Sequence, residues 1–422
     1  MPQSSPEHSP DEINKAVEQA YRDSSRKILA TLIRWSGDFD LAEDAMQEAF
    51  AAAVRSWEST GLPDCPEARL LSTARNRLID AVRKQKLTHD RSQQQREYLK
   101  SIQTLNHSQE QQTIPDDRLR LIFTCCHPAI ERKVQIPLVL REVCGMSTEA
   151  IADAFLTNAA AMAQRLVRGK KKIKLARIPF EVPDEDKLTS RLESVLDVIY
   201  LVFNEGYSPS HGQQAVCKEL SGEAIRLTRL LLELLPDPEV QSLLALMLFH
   251  ESRRKARVDS NGDIVLLDDQ DRRRWDQELI HEASQLVNAV WSKGTIGSYW
   301  IQAAIAAAHS TSPSAQDTNW SEIERLYQLL LQVEDSPIAR LNHAVAAAMA
   351  HSPDKGLELL EPLLALPQLE NYALAYAAHG DLLARTKRPQ EAIAAYQNAL
   401  RLAQQGPQQR FLMRKLAELQ QS

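Results

Sequence analysis

Residues 157–177 read TNAAAMAQRLVRGKKKIKLAR, and the fold of the first half of the chain turns on this stretch. Seven of its residues are basic: Arg165, Arg168, Lys170, Lys171, Lys172, Lys174 and Arg177. No acid occurs between Asp153 and Glu181. Asn158 suits a helix start, and Met162, Leu166 and Ile173 follow at helical spacing. The stretch therefore predicts a helix to about Ala176 with those three side chains toward a core. Gln164, Arg165, Arg168, Lys171 and Lys172 then face outward. Gly169 weakens such a helix by about 1 kcal/mol relative to Ala. Just upstream, Ser147 or Thr148 caps a short helix through Phe155, and two helices joined by a tight turn make a helix-turn-helix. An outward Gln can bond an adenine edge and an Arg a guanine edge, while lysines farther along grip phosphates without reading sequence. This is the electrostatic footprint of a DNA-reading helix.

The charge of the whole chain agrees with that placement. The net charge is −6 over 422 residues, but it is uneven. Residues 1–180 hold 27 Lys and Arg against 23 Asp and Glu; residues 181–422 hold 23 against 33. The C-terminal half is thus not built to lie on phosphates. Five cysteines, at positions 65, 125, 126, 144 and 217, are too few and too scattered for a disulfide framework. No basic-then-apolar leader opens the chain and no apolar run approaches a membrane span of about 18 residues. These features predict a soluble, cytoplasmic protein with no membrane association. Scarce Gly (13 residues) with abundant Ala, Leu, Gln, Glu and Arg predicts an all-α fold.

Five segments follow from the pattern. Residues 11–86 form a first helical unit. Its first helix carries the stripe Ile13, Val17, Tyr21, Ser24, Ile28, Leu32, Trp35 and is closed by Gly37-Asp38. Its second carries Met46, Phe50, Val54 and Trp57, with Asp40 and Glu43 resembling a capping box and Asp44, Gln47 and Glu48 on the other face. Its third starts near Pro66, buries Leu70, Ala74, Leu78 and Val82, and presents Arg75, Asn76, Arg77, Arg83 and Lys84. Residues 87–115 are a linker, since eight glutamines fall between Gln85 and Gln112 with few large apolar residues. Residues 116–178 hold the helix-turn-helix, with Pro137 expected to kink its first helix or delay its start. Residues 184–290 are helical without a clean period. Residues 295–420 carry two or three tetratricopeptide-like repeats: Tyr376, Gly380, Leu383, Ala392, Tyr396 and Ala399 have the offsets, and Tyr327, Leu360 and Tyr396 fall at equivalent points.

Three local matches in order then indicate a family. AEDAMQEAFAAAVRSW (42–57) resembles the region 2 helix by which sigma factors bind the polymerase largest subunit. LLSTARNRLIDAVRK (70–84) resembles the helix that reads and opens the −10 element, and STEAIADAFLTNAAAMAQRLVRGKKKI (147–173) resembles the region 4 helix-turn-helix that reads the −35 element. The chain is similar to an extracytoplasmic-function (ECF) sigma factor, region 2 followed by region 4. IPDDRLRLIFTCCHPAI (114–130), LDVIYLVFNEGYSPS (196–210) and the repeats resemble the subgroup with a tetratricopeptide-like C-terminal extension.

The resemblance implies a helical bundle, a helix-turn-helix and a helical extension, with core RNA polymerase and promoter DNA as partners. It also implies roles residue by residue. Asp44, Gln47 and Glu48 sit where the family contacts core polymerase. Asn76, flanked by Arg75 and Arg77, sits where members capture a flipped −10 base, which costs a few kcal/mol that a polar pocket offsets. Gln164, Val167 and Arg168 sit at −35-reading positions, with Arg165, Lys171 and Lys172 beside them. Two departures stand out: Ala163 replaces a common Lys or Arg, and Arg69 replaces a common aromatic.

Other signals carry less. Cys125-Cys126-His127 has poor chelate geometry and no CxxC partner, so the thiols read as buried structural residues. His250-Glu251 lacks the second His of a metalloprotease motif, and 203–207 (FNEGY) reads as a helix end serving a turn. No catalytic set, cofactor motif or metal site is expected. The competing reading is a one-component helix-turn-helix regulator whose repeats bind a protein partner. It needs neither the acidic Asp44–Glu48 face nor a −10 reader around Asn76. An enzyme within 184–290 would need convergent titratable groups that the sequence does not announce.

Overall fold

A computed structural model describes residues 10–88, 117–155, 157–207, 218–260, 262–403 and 406–421. The expected linker lies outside them from residue 89 onward. The described residues are helical and contain no strand; a single isolated bridge among them joins Val258 and Ile264. They divide into two compact units, Met1–Val198 and Ile199–Ser422. No helix among the described residues is long and apolar enough to cross a membrane.

In the first unit, α1 (Pro10–Ser36), α2 (Phe39–Thr60) and α3 (Pro66–Thr88) pack on one another. Ile13, Ile28, Leu32, Met46, Phe50, Trp57, Leu70, Ala74 and Leu78 are buried among them. Each large aliphatic or aromatic side chain so buried contributes about 1.5–3 kcal/mol. Tyr21 and Val54 lie at the margin of their stripes, and Tyr21 meets Phe50 edge-on at 5.0 Å. Gly37 ends α1 at φ +61°, a conformation that other residues adopt only with strain. The cap of α2 differs from expectation. Asp38, in extended conformation, accepts the Asp40 and Leu41 amides; Asp40 and Glu43 form no capping box. Glu43 is drawn instead toward two cations described below.

The same unit continues with α4 (Arg118–Cys125), α5 (Arg132–Leu138), α6 (Thr148–Ala154) and α7 (Ala159–Leu175). Pro137, expected to kink this helix or delay its start, does not delay it: α5 starts at Arg132 and passes after Leu138 into a wider π turn, Val139–Val143. Cys125 and Cys126 are buried beside Leu121, Ile122 and Phe123. Burial pushes the Cys126 thiol up to about 12 and Cys125 well above its ordinary value, so both are inert thiols rather than thiolates. Helix α8 (Glu185–Tyr207) begins in this unit, where Arg191 donates to the Phe123 carbonyl at 2.7 Å and Asp197 pairs with Arg132 at 2.5 Å.

The second unit takes in the end of α8 and then α9 (Lys218–Leu234), α10 (Pro238–Ser252), α11 (Gln277–Trp291), α12 (Ser298–Ser310), α13 (Trp320–Val333), α14 (Pro337–Ala350), α15 (Pro353–Leu360), α16 (Ala373–Arg385), α17 (Pro389–Leu402) and α18 (Gly406–Gln421). Helix α10 is apolar all round from Leu243 to Phe249 and is buried all round, with α9, α11 and α12 against it. From α12 onward the helices pack in sequence. Small residues sit where they cross: a Cβ on Gly380 would meet the Tyr396 ring at 3.1 Å, and Ala344, Ala348 and Ala392 are buried together in a core cluster of this series. Tyr327, Leu360 and Tyr396 fall on α13, α15 and α17, alternate helices of the series. Residues 203–207 are helical and form the end of α8 at Tyr207; the turn expected of them lies outside the described residues.

Candidate nucleic-acid interface

Helix α7 is anchored as its sequence demands. The Asn158 side chain accepts the Ala161 amide at 2.7 Å, and Met162, Leu166, Gly169 and Ile173 are its buried residues. The Ser147 hydroxyl caps α6 by accepting the Ala150 amide at 3.0 Å. Gly169 is explained by contact: a Cβ there would lie 2.8 Å from both Leu138 and Val134, so glycine lets α7 press against α5. The anchoring turns Gln164, Val167, Arg168, Lys171 and Lys172 to solvent, while Arg165 is half-buried. Val167 is 62% exposed, an apolar side chain held in water among polar neighbours. Such a surface suits a groove edge, where a valine can meet a thymine methyl and Gln or Arg can bond bases.

In α2, Asp44, Gln47 and Glu48 are exposed while Met46 and Phe50 beneath them are buried. In α3, Asn76 and Arg77 are exposed and Arg75 is half-buried, its guanidinium 5.6 Å from the Trp35 ring centre. Arg77 reaches Glu48 at 3.6 Å, so the two neighbouring helices join a base-facing candidate to a polymerase-facing one. That pair is exposed and worth little by itself, about 0.2–1 kcal/mol.

Sequence reasoning missed a second face of α7. Lys170 does not point to solvent with its basic neighbours. Its side chain is 16% exposed and its ammonium lies 3.1 Å from Asp40, 3.5 Å from Glu43 and 3.4 Å from Glu142. Burial alone lowers a lysine pKa, but Glu142, Glu43 and Asp40 outweigh it and hold Lys170 above its ordinary value. Glu142 is itself raised, because burial outweighs the pull of a lysine shared among three acids. One turn on, Lys174 bonds Asp38 at 2.8 Å. Burial pushes Asp38 up, yet the Lys174 hydrogen bond and the Leu41 and Asp40 amides bring it below its ordinary 3.8. Arg141 pairs with Glu43 at 2.8 Å from the π turn. Helix α7 is thereby clasped to the α1–α2 turn, and Val167 and Lys171 line the cleft at the junction. The signal was present as an i, i+4 lysine pair, but solvated lysines have the same spacing.

The comparisons with known proteins fit this arrangement. Residues 20–88 match sigma-70 region 2 and residues 120–173 match sigma-70 region 4. The chain belongs to the extracytoplasmic-function sigma factors. As a sigma factor it binds RNA polymerase and promoter DNA. Residues 191–291 of its C-terminal extension match a family of unknown function, DUF6596. A Rhizobium meliloti (strain 1021) protein described as uncharacterized protein R00370 is 40% identical over 403 residues, spanning 93% of both chains. No solved structure matches the sigma factor.

Proposed function

We propose that this sigma factor reads the −35 element with Gln164, Val167 and Arg168, steadied on the backbone by Arg165, Lys171 and Lys172. Arg75, Asn76 and Arg77 then take the −10 strand, and Asp44, Gln47 and Glu48 meet core polymerase. The observation that carries the reading is the exposed row on α7, held outward by a buried stripe on the opposite side. The exposed Asp44, Gln47 and Glu48 face favours this reading over a stand-alone regulator. The factor acts in the cytoplasm, where its polymerase and promoter are.

The clasp between α7 and the α1–α2 turn belongs to a state that must open. The two promoter elements lie on the order of 25 base pairs apart, or about 85 Å at ~3.4 Å per base pair. Helices α3 and α7 cannot reach both while Lys170 and Lys174 hold Asp38, Asp40 and Glu43 on the neighbouring α1–α2 turn. The extension, with repeats of the tetratricopeptide kind, modulates activity through protein contact, and truncation is expected to abolish promoter-specific transcription. Transcription in vitro with core polymerase tests both parts. Q164A/R168A should lose promoter discrimination while retaining core binding; unchanged discrimination removes α7 from the site. A chain ending after Tyr207, which keeps all of α8, should lose activity; activity equal to full length, with and without cell extract, removes the extension from control.

A further inference from the structure

The end of α10, in the second unit, gathers an excess of guanidinium groups. Arg253 follows α10 directly and Arg254 and Arg257 lie in and beyond the short 3₁₀ turn Arg254–Ala256. Arg272 comes from a second turn, Arg272–Arg274, which touches the first. Tyr207 at the end of α8 and His309 on α12 complete the layer. Arg253 is 9% exposed and Arg254's side chain 12%.

The partners of these groups do not balance them. Arg254 bonds Glu251 and Ser221. Arg253 bonds the His250 ring nitrogen at 2.9 Å, and burial together with Arg253 and Arg257 holds that imidazole neutral, well below its ordinary pKa. Arg257 bonds the Tyr207 carbonyl at 2.5 Å and covers the Tyr207 ring at 3.7 Å. Arg272 bonds the His309 carbonyl at 3.2 Å and covers the Trp275 ring at 4.4 Å. Asp268 and Asp317 act on Arg272. No carboxylate pairs with Arg253 or Arg257 among the described residues. The stretch 208–217, SPSHGQQAVC, lies outside them and contains no Asp or Glu.

The orphaned atoms point the same way. Nε of Arg253, Nε of Arg254, Nη2 of Arg272 and Nε1 of Trp275 are buried donors without an acceptor. Buried donors without acceptors and buried cations without anions are each costly, and here they coincide. One ligand answers both. Two unmatched guanidiniums call for two negative charges, and an arginine fork fits a tetrahedral oxyanion through paired N–H groups. A phosphate monoester or free phosphate carries about −1.5 to −2 near neutral pH.

We propose that the C-terminal extension binds a dianionic phosphate group between Arg253 and Arg257, with Arg254, Arg272 and Trp275 donating around it. The proposal does not rest on the promoter reading. Titration calorimetry and thermal unfolding of the full chain test it, with inorganic phosphate, glycerol phosphate and adenosine monophosphate added at fixed ionic strength. The expected result is one phosphate per chain and a melting temperature that rises and saturates. Equal affinity for all three probes assigns the site to free phosphate; tighter organic esters assign it to a phosphorylated metabolite. R253Q should weaken binding at least tenfold. Should R253Q fail to fold, R257K keeps the charge but loses the fork and should weaken binding in the same way. No saturable response of the unmodified chain overturns the proposal. So does a response to acetate equal to that to phosphate, or binding that persists unchanged in the folded variants.

Discussion

Breaking the Arg141–Glu43 pair should open the sigma factor. Arg141 and Glu43 meet at 2.8 Å with side chains 25% and 17% exposed, and Glu43 also faces Lys170 at 3.5 Å. Exposed pairs are worth about 0.2–1 kcal/mol, while stranding one partner of a buried pair costs about 3–5 kcal/mol. This pair lies between, so about 1–2 kcal/mol of coupling is expected. At about 1.4 kcal/mol per tenfold, the closed-to-open ratio should fall roughly 5- to 30-fold. Arg141→Met also loses a 3.2 Å bond to the Met146 carbonyl, and Glu43→Gln also weakens the hold on Lys170. A double-mutant cycle removes both side effects and leaves the pair itself. Neither residue belongs to the proposed DNA-reading or polymerase-binding sets. The exposed native Cys65 serves as one dye site and Ala163→Cys on α7 as the other, with Cys144 and Cys217 replaced by serine. Energy transfer should fall in either single variant, and coupling should appear in the cycle. Additive effects within about 0.3 kcal/mol, or unchanged transfer, would refute the clasp as a closing device.

Gln164→Ala and Arg168→Ala should each cost about 1–3 kcal/mol of −35 discrimination, read by competition between promoter variants, while Lys171→Ala should weaken all sequences alike and flatten the salt dependence. Asn76→Ala should impair strand opening more than duplex binding, so permanganate reactivity at the −10 element should drop with little change in initial affinity. Gly169→Ala should lower the melting temperature, because the ~1–3 kcal/mol of overpacking against Leu138 and Val134 exceeds the ~1 kcal/mol gain in helix propensity. Lys174→Ala should shift the acid limb of unfolding. Asp38 titrates below 3.8, so its ionised form stabilises the fold above 3.8 and that contribution is lost as pH falls through the lower folded value. Without Lys174, the Asp38 midpoint followed by carbon NMR should move upward.

Much of the fold was legible because period and punctuation agree. Pro66, Gly37, Ser147 and Asn158 bound helices where their backbone chemistry requires. The core stripes of α1, α2, α3 and α7 follow directly from 3.6-residue spacing. The exposed rows followed as complements of those stripes. The errors lay where a side chain's partner is distant in sequence. Glu43 is a fair capping residue by local pattern, but Arg141 and Lys170 claim it from 98 and 127 residues away (141 − 43 and 170 − 43). The arginines after α10 look like an ordinary charged loop until their burial is known. A charge run is solvated by default, and only three-dimensional context reverses that reading.

The placement of Lys170 and Lys174 gives helix α7 two incompatible uses. Four residues apart, they share a stripe that meets Asp38, Asp40 and Glu43, while Gln164 and Arg168, also four apart, face solvent. Val167 and Lys171 border the cleft between the two stripes, so DNA on the proposed reading face would compete for shared ground with the α1–α2 turn on the other. The apparent promoter affinity is then the affinity of the open form multiplied by the fraction that is open. A clasp worth about 2 kcal/mol would lower that affinity roughly 30-fold with no base contact altered. Mutations at Arg141 or Glu43 should therefore raise affinity for every promoter by one common factor, whereas those at Gln164 or Arg168 should change the ranking of promoters. A clasp variant that reordered promoter preference would show that the two stripes are not separable.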